Sequence, residues 1–305
     1  MSLVSIISVN YNQPQVTVEF LDSVLNSSSI HQIELILVDN GSSENNEKLF
    51  KQHYADLKYL RSEKNLGFAG GNNLGILEAT GEYILFLNND TELTPNMVDV
   101  LINEFECNPE IGLLSPLILY HDDKKIIQYA GFSNMNYLTA RNKSIGNRET
   151  DQNQYNTSYE TGFIHGAAMM CRKSDLEHVG LMEENYFLYY EELDWCEKFK
   201  KAGKKIWFTG RARIYHKESI SVGKESPLKT YFMHRNRMLY VRKNTSFANT
   251  LMFCLYYMVI ATPRSMLNHY LNKRKDLIPW IVKAIVWNFT HSKESTVLGY
   301  KTAKI

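Results

Sequence analysis

The 305-residue sequence predicts an α/β protein with a mostly parallel sheet flanked by helices and a helical extension at the C-terminus. Short apolar runs rich in β-branched residues alternate with helical stretches over residues 1–119, which is typical of consecutive βαβ units. The runs are apolar at successive positions, as expected of parallel strands covered on both faces. Beyond residue 245 the chain holds long apolar helical stretches instead.

The predicted elements follow one another closely. Strands are predicted at Leu3–Val9, Ile33–Val38, Leu57–Leu60, Tyr83–Leu87 and Gly112–Leu119, and helices at Pro14–Leu25, Ser43–Tyr54, Gly71–Ala79 and Pro95–Glu106. Pro14 stands in the first turn of its helix, where proline is tolerated. Residues 120–160 lack a clear period and predict an insertion of short strands and loops, and residues 161–171 predict a strand that returns to the core.

Composition narrows the function classes. A hydrophobic fraction of 44% is ample for a core, and a net charge of +1 gives no indication of nucleic acid as a partner. The scattered cysteines lack metal-site spacing and indicate reduced thiols in the cytoplasm, and we expect no signal peptide because the chain begins directly with a strand. The longest apolar run, Phe247–Thr262, contains Asn249 and is shorter than the roughly 20 residues that span a bilayer.

Polar residues follow each of the first four predicted strands. They are Asn10, Tyr11 and Asn12 after the first strand, Asp39 after the second, Asn65 and Gly67 after the third, and Asn88, Asn89 and Asp90 after the fourth. One such cluster is typical of any turn, but parallel strands bring all four clusters to one edge, where ligands bind. Amides and a carboxylate suit a base and ribose, and a glycine-rich helix start offers free N–H groups to phosphate. The edge therefore predicts a nucleotide site.

The common phosphate-binding motifs are absent from the sequence. No G-x-G-x-x-G follows the first strand, and there is no G-x-x-x-x-G-K-[ST]. A bound diphosphate would then need another counter-charge. A divalent cation, Mn²⁺ or Mg²⁺, held by Asp90 would supply it, since hard cations bind through a carboxylate and substrate phosphates together.

Five ordered blocks resemble the family 2 inverting glycosyltransferases of GT-A fold, close to their bacterial rhamnosyltransferase-like branch. The blocks are VSIISVNYNQ, ELILVDNGSS, NLGFAGGNN, GEYILFLNNDTEL and FLYYEELDWCEKFKKAGKKI. The similarity covers about residues 3–245. It implies a GT-A domain over residues 1–245, with a nucleotide-binding half at 1–119, an acceptor and catalytic half at 120–245, and apolar C-terminal helices at 246–305.

The resemblance also implies ligands and roles. The donor would be a nucleotide-diphosphate sugar and the acceptor a saccharide or a lipid-linked acceptor, in bacterial surface polysaccharide or glycolipid assembly. Asp39 would contact the nucleobase, in a pocket lined by residues 10–12. Residues 88–90 would form the D-x-D element, with Asp90 and His216 on the metal. Asn88 replaces the first aspartate, so an amide would make the ribose contact. From the residues alone His216 is undecided, and His165 is interpreted as a packed histidine.

A predicted helix that ends at Gly203 begins with three carboxylates, Glu191, Glu192 and Asp194. Steps of about 100° place Glu192 in the apolar arc of this helix and Asp194 on the polar side, paired with Lys198 four residues on. A carboxylate that faces the interior is costly unless it serves a site, where desolvation raises its pKa toward that of a general base.

The resemblance indicates the same residue. Glu191 and Glu192 match an E-D pair whose second member deprotonates the acceptor, here with Glu in place of Asp. A helix that begins one or two residues later would instead leave Glu192 as a cap. A sugar-nucleotide-binding module without turnover is the alternative function, whereas a nucleotidyltransferase would need a G-x-G-x-R stretch that the sequence lacks.

The C-terminal region predicts a surface for a partner. Residues 230–244 form a helix with a basic face, followed by the apolar stretches Phe247–Ile260 and Leu277–Trp287 with the basic residues 273–275 between them. Such helices either lie in a membrane interface, with basic residues toward lipid phosphate, or pair with a second subunit. Peripheral contact with the inner face of the cell membrane and a homodimer therefore stay open as alternatives.

Overall fold

A computed structural model describes residues 1–217 and 226–301. Residues 218–225, inside the predicted GT-A domain, and residues 302–305 lie outside the described part. The strands are β1 (Leu3–Asn10), β2 (Gln32–Asn40), β3 (Lys58–Ser62), β4 (Tyr83–Leu87), β5 (Thr91–Leu93), β6 (Ile111–Tyr120), β7 (Ile127–Tyr129), β8 (Ser158–Glu160), β9 (Ala168–Arg172) and β10 (Lys205–His216). The helices are α1 (Pro14–Asn26), α2 (Glu47–His53), α3 (Gly67–Glu78), α4 (Met97–Cys107), α5 (Leu176–Val179), α6 (Glu191–Lys201), α7 (Pro227–Asn244), α8 (Phe247–Tyr256), α9 (Thr262–Leu271) and α10 (Ile278–Thr290).

The ten described strands form one sheet, in which eight follow the order β3-β2-β1-β4-β9-β6-β10-β5, while β7 pairs with β6 and β8 pairs with β10. The first four neighbours pair in parallel, as predicted, and β10 is parallel to β6. Strand β9 lies between β4 and β6 and is antiparallel to both. The register of β1 and β2 pairs Asn10 with Asp39, so these polar residues meet at the carboxyl ends of their strands.

Buried side chains lie on both faces of the sheet. Alternate residues of a strand point to opposite faces, and Ile6 and Ile7 accordingly belong to two different apolar clusters. Helices α1, α2 and α4 contribute to the first cluster, and α3, α6 and α7 contribute to the second. Residues 253, 257 and 287 of the C-terminal helices are buried in this second cluster, so the extension packs on the sheet side that carries α6.

Helix α3 begins at Gly67, four residues before its predicted start. The glycine-rich segment is interpreted as a loop from its composition, but its glycines allow a helix to lie close to the sheet. A Cβ on Gly71 would meet Val9 at 2.9 Å, and one on Gly75 would meet Ile7 at 2.5 Å. Close packing on β1, which a single sequence does not display, therefore decides the start of this helix.

Residues 247–271 form one continuous helix, in which a π-helical turn at Tyr257–Ala261 joins α8 to α9. The apolar run ends at Thr262, but the helix continues through Pro263, whose ring stands in the first turn of α9. The prediction that no segment reaches the length of a bilayer span is therefore wrong. In the described part of the chain, this helix is long and apolar enough to cross a membrane by length and composition, and 17% of its most apolar window is buried.

Candidate active site

Asp39 is fully buried at the end of β2, and both of its carboxylate oxygens accept hydrogen bonds. Asn10 Nδ2 donates to Oδ1 at 3.3 Å and the hydroxyl of Tyr59 donates to Oδ2 at 2.9 Å. The guanidinium of Arg61 lies 3.7 Å from Oδ2. Burial and the Asp39 carboxylate raise the pKa of Tyr59, so this hydroxyl stays a donor. The arrangement fixes one carboxylate in a defined position at the sheet edge.

The turn after β1 is held by the same network. Asn10 Oδ1 accepts from Thr17 Oγ1 at 3.0 Å. Asn12 adopts a left-handed conformation with φ 52°, and its Oδ1 accepts from the backbone N–H of Ser43 at 2.9 Å. Tyr11 is partly exposed between them. These contacts join the first and second strand ends, so the predicted cluster of Asn10, Tyr11, Asn12 and Asp39 is assembled in one place.

Asn40, which the sequence does not single out, holds the third loop against the second. Its side chain donates to the carbonyl of Gly67 at 3.0 Å and accepts from the N–H of Leu66 at 2.9 Å. Asn65 Oδ1 accepts from the N–H of Gly67 at 2.8 Å, and Phe68 N–H donates to Phe187 O at 2.8 Å. The expectation of free N–H groups at this helix start is therefore wrong for residues 66–68, because side chains and a neighbouring loop occupy them.

The turn after β4 joins this edge to the rest of the sheet. Asn88 donates its backbone N–H to the carbonyl of Ala167 at 3.0 Å. Asn89 Nδ2 donates to Thr17 Oγ1 at 2.8 Å, which links this turn to the Asn10 network. Asp90 follows with its carboxylate largely buried, and its Oδ1 makes no hydrogen bond in the structure.

His216 ends β10 and faces Asp90, as the resemblance implies for a shared role. Its Nε2 lies 3.2 Å from Asp90 Oδ1, and its Nδ1 lies 2.8 Å from Oε1 of Gln128. Because Oε1 of Gln128 accepts a hydrogen bond from Nδ1, the ring proton lies on Nδ1. Nε2 therefore keeps a free lone pair. An imidazole nitrogen beside a buried carboxylate oxygen without a partner fits a divalent cation. No third His, Cys, Asp or Glu joins them within residues 1–217 and 226–301, so other ligands would be oxygens from elsewhere.

His165 packs beside His216, and the two ring centroids lie 5.8 Å apart. Burial, with the nearby His216, lowers the pKa of His165 to about 3. The neutral ring donates no charge to the site, and its Nδ1 accepts from the backbone N–H of Ala167 at 3.1 Å. The interpretation of His165 as a packed histidine is confirmed.

Helix α6 begins at Glu191, so the alternative of a later start, with Glu192 as a cap, is wrong. The backbone before it is strained. Phe187, Tyr189 and Tyr190 have φ values of 66°, 71° and 77°, which bulky residues rarely adopt. Such conformations persist only where the surrounding structure imposes them, and they concentrate at functional sites.

Glu191 and Glu192 are both held in surroundings that disfavour charge. Glu191 is 2% exposed and its Oε2 has no hydrogen-bond partner within residues 1–217 and 226–301, and burial together with the neighbouring Glu192 raises its pKa. Glu192 is half-buried, and burial also raises its pKa. A Cβ on Gly166 would stand 3.8 Å from Cγ of Glu192, so this carboxylate side chain lies beside residues 165–167, the loop that bonds Asn88.

The prediction of a solvent-exposed Asp194 paired with Lys198 is wrong. Asp194 is 2% exposed and its Oδ1 accepts from the hydroxyl of Tyr186 at 2.9 Å and from Nδ2 of Asn244 at 2.6 Å. Lys198 instead pairs with Glu183 at 2.6 Å. The helical wheel assumes one buried face, but α6 packs on the sheet on one side and against α7 and the preceding segment on the other.

Comparisons with known proteins agree with this arrangement. Residues 5–180 match the family model described as glycosyl transferase family 2. The low-salt glycan biosynthesis hexosyltransferase Agl10 of Haloferax volcanii is 26% identical over 240 residues, which are 77% of this chain and 74% of that protein. The N-acetylglucosaminyl-diphospho-decaprenol L-rhamnosyltransferase of Mycobacterium tuberculosis is 21% identical over 257 residues, which are 77% of this chain and 83% of that protein.

Solved structures share the fold at low identity. GalNAc-T7, determined with UDP, GalNAc and Mn²⁺, superposes with a TM-score of 0.67 at 16% identity, over 94% of this chain and 56% of that chain. The mannosyltransferase PcManGT of Pyrobaculum calidifontis, determined with GDP-Man and Mn²⁺, gives a TM-score of 0.60 at 13% identity, over 95% of this chain and 87% of that chain. The chain therefore belongs to glycosyl transferase family 2 and has the GT-A fold.

Proposed function

We propose that the protein transfers a sugar, a hexose or a deoxyhexose, from a nucleotide-diphosphate donor to an acceptor hydroxyl with inversion of configuration. The transfer would depend on a divalent cation and serve surface polysaccharide or glycolipid assembly. One observation carries the proposal. The Asp90–His216 pair and the side chain of Glu192 both adjoin the loop at residues 165–167, so a bound cation and the proposed base would lie at one sheet edge.

The donor nucleotide would occupy the ends of the first three strands. Asp39, held by Asn10 and Tyr59, would present its carboxylate to the N–H groups of a base, and residues 10–12 would line the same pocket. Asn65 and Gly67 shape the neighbouring loop rather than offer free N–H groups, because their polar atoms bond to each other and to Asn40. Asn89, which donates to Thr17, and its neighbour Asn88 would contribute amides between this pocket and Asp90.

The cation site would consist of Asp90 and His216. A bound Mn²⁺ or Mg²⁺ supplies positive charge to the diphosphate as it leaves. Among the described residues, none donates a hydrogen bond to the buried Oδ1 of Asp90, and Gln128 orients His216; both features support a cation site here. GalNAc-T7 and PcManGT, which share the fold, were determined with Mn²⁺, and this supports the same requirement here.

Glu192 would act as the general base. Its carboxylate takes the proton of the acceptor hydroxyl as the oxygen attacks the anomeric carbon from the face opposite the nucleotide. The bond from that carbon to the diphosphate breaks with its electron pair on the leaving oxygen, so the configuration inverts. The raised pKa of Glu192 brings its basicity closer to the operating pH, where general-base catalysis is most effective. Glu191, its buried neighbour, would support this environment.

Transfer assays with a panel of UDP-, dTDP- and GDP-sugars, with the anomeric configuration of the product read by NMR, test the proposal. We expect activity with Mn²⁺ or Mg²⁺ and none in excess chelator. Asp90→Ala should abolish transfer, whereas Asp122→Ala, at a fully exposed carboxylate, should match the wild type in activity and melting temperature. Full activity in excess chelator would contradict the cation requirement, and retained configuration would contradict the inverting mechanism.

A sugar-nucleotide-binding module without turnover would bind donors in the same way. Burial raises the pKa of Glu191 and of Glu192, and the backbone just before them is strained. Both features favour an enzyme, because binding a sugar nucleotide does not require a desolvated carboxylate base. Donor binding without transfer to any acceptor, measured with the same panel, would favour the module instead.

A further inference from the structure

A cavity of about 250 Å³ lies between residues 140–142, helix α7 and the π-helical turn of the C-terminal helix. The residues that line it are Ala140, Arg141, Asn142, Tyr190, Met233, His234, Arg237 and Tyr257. Ala140 adopts a left-handed conformation with φ 45° just before Arg141. We refer to this cavity as the arginine pocket.

The arginine pocket carries uncompensated positive charge. In the described part of the chain, neither Arg141 nor Arg237 forms an ion pair with a carboxylate. Arg237 donates to the carbonyl of Thr139, and its buried Nε makes no hydrogen bond to any residue that the structure describes. Burial and the nearby Arg237 lower the pKa of His234 to about 4, so this ring is neutral and bonds to Tyr257 and Ser265. Two guanidinium groups at one cavity indicate an anionic ligand, and planar guanidinium suits phosphate oxygens.

The pocket adjoins the proposed base. Tyr190 lines it and stands two residues before Glu192 at the start of α6. Burial raises the pKa of Tyr190 to about 12, with Arg237 and Arg141 acting against the rise and Glu192 adding to it. The Tyr190 side chain is therefore within electrostatic reach of both the two arginines and the base. An anion in this pocket would therefore lie close to Glu192.

An exposed apolar strip begins at the rim of the pocket. Met258, Val259 and Ile260 follow the pocket residue Tyr257 and are 46%, 64% and 55% exposed. Large apolar side chains continue to be exposed along the same helix, at Phe247, Leu251, Met252, Leu255, Leu267 and Leu271. Contiguous exposed apolar surface marks an interaction site, and next to a cationic cavity it fits an amphiphile with an anionic head.

We propose that the arginine pocket binds the phosphate or diphosphate of a lipid-linked acceptor, whose hydrocarbon chain lies along the apolar strip while its sugar hydroxyl reaches Glu192. The proposal rests on the proposed transferase function and specifies its acceptor. It gives the strip one occupant, the acceptor lipid, rather than a second subunit.

Binding of simple amphiphiles to the full chain tests the assignment. Dodecyl diphosphate, dodecanol and inorganic diphosphate are compared by calorimetry, with dodecyl diphosphate kept below its critical micelle concentration and dodecanol below its solubility limit. We expect dodecyl diphosphate to bind at least tenfold more tightly than either of the other two, because it alone uses both the charge and the apolar surface. Equal affinity for dodecanol and dodecyl diphosphate would overturn the role of the arginines, and equal affinity for inorganic and dodecyl diphosphate would overturn that of the strip.

Variants locate the two halves of the site. Arg141→Gln and Arg237→Gln should each weaken dodecyl diphosphate binding by roughly tenfold or more and leave dodecanol unaffected. Lys143→Gln removes an exposed positive charge two residues from Arg141 and should have no effect. Val259→Ser with Ile260→Ser should weaken both alkyl ligands, whereas Leu25→Ser, at a 63% exposed position on α1, should weaken neither. Unchanged dodecyl diphosphate binding in the double arginine variant would refute the proposal.

Two further readouts separate this proposal from others. Affinity for nucleoside diphosphate with Mn²⁺ is measured in every variant, and unchanged donor affinity with unchanged amphiphile affinity would refute the acceptor pocket while the transferase proposal stands. Light scattering reports the oligomeric state. A dimer that dissociates in the Val259→Ser, Ile260→Ser variant, with amphiphile binding intact, would assign the strip to a subunit interface and overturn the proposal.

Discussion

The carboxyl ends of β1, β2 and β3, which we call the donor edge, differ from the start of α6 in how their polar groups are hydrogen-bonded. At the donor edge, Asn10, Asp39, Asn40 and Asn65 satisfy one another's hydrogen-bonding groups, so the strand ends are rigid before any ligand binds. At the start of α6, Glu191 is buried with an oxygen lacking a partner, and three preceding residues have positive φ. Polar groups that hydrogen-bond to one another keep a binding surface rigid. Buried polar groups without partners and strained backbone conformations are instead typical of sites where a reaction takes place.

The comparison predicts its largest effect at Glu192. Glu192→Gln removes the proposed proton acceptor and keeps the shape of the side chain, so we expect turnover to fall by roughly 10²–10⁴ with donor affinity unchanged. Single-turnover kinetics and donor calorimetry on the same preparation measure the two quantities. Glu191→Gln should lower turnover less. Wild-type turnover in Glu192→Gln would place the base elsewhere.

Gly67 connects the two regions, and its replacement should have the next largest effect. A Cβ at Gly67, where φ is +76°, would stand 2.1 Å from the carbonyl oxygen of Phe187. Gly67→Ala should therefore lower the free energy of unfolding by about 3 kcal/mol, through backbone strain and a clash that displaces the loop before α6.

Gly203 provides the matched control, because its φ is +77° and no atom lies within 4 Å of an added Cβ. Gly203→Ala should lower the free energy of unfolding only by the cost of a left-handed backbone conformation in alanine, about 1 kcal/mol. Denaturant unfolding of both variants separates strain from contact. Equal destabilisation of the two would show that the contact between α3 and Phe187 contributes nothing.

Burial of Glu191 should appear in the pH dependence of stability. Its pKa in the folded protein is raised above 4.5, so between 4.5 and the raised value the folded state binds more protons than the unfolded state. Stability should thus decrease as pH rises through this window, by up to about 1.4 kcal/mol per pH unit. Glu191→Gln cannot ionise and should lose this part of the slope, as measured by urea unfolding between pH 5 and about 8. An unchanged slope would mean that the carboxyl is solvated.

The smallest effect is expected at the donor edge. Tyr59→Phe removes the donor to Asp39 Oδ2, but Asn10 and Ser42 still donate to Oδ1 and Arg61 stays nearby. We expect a loss of about 1 kcal/mol in unfolding free energy and a small change in donor affinity. A loss as large as that of Gly67→Ala would show that the network depends on this one hydroxyl and is less redundant than the comparison implies.

Much of the donor edge follows from local sequence. Apolar runs with a strand period, each ending in Asn, Asp or Gly, predict parallel strands, and parallel strands bring their carboxyl ends together whatever the details of packing. The positions of Asn10, Asp39 and Asn89 in one network therefore needed no knowledge of long-range contacts. The start of α6 at Glu191 was also predicted, because carboxylates cluster in the first turn of helices.

Tertiary structure alone decided the remaining features. The glycines of α3 became a helix because β1 lies close beneath them, and α3's first N–H groups were taken by Asn65 and by Phe187, which is distant in sequence. Asp194 became buried because α7 covers the side of α6 that a helical wheel assigns to solvent. The sequence determined which residues stand at strand and helix ends, since that depends on neighbours along the chain. Burial, hydrogen-bond partners and the approach of Arg141 and Arg237 to one cavity depend on segments far apart in the chain, and only packing brings those together.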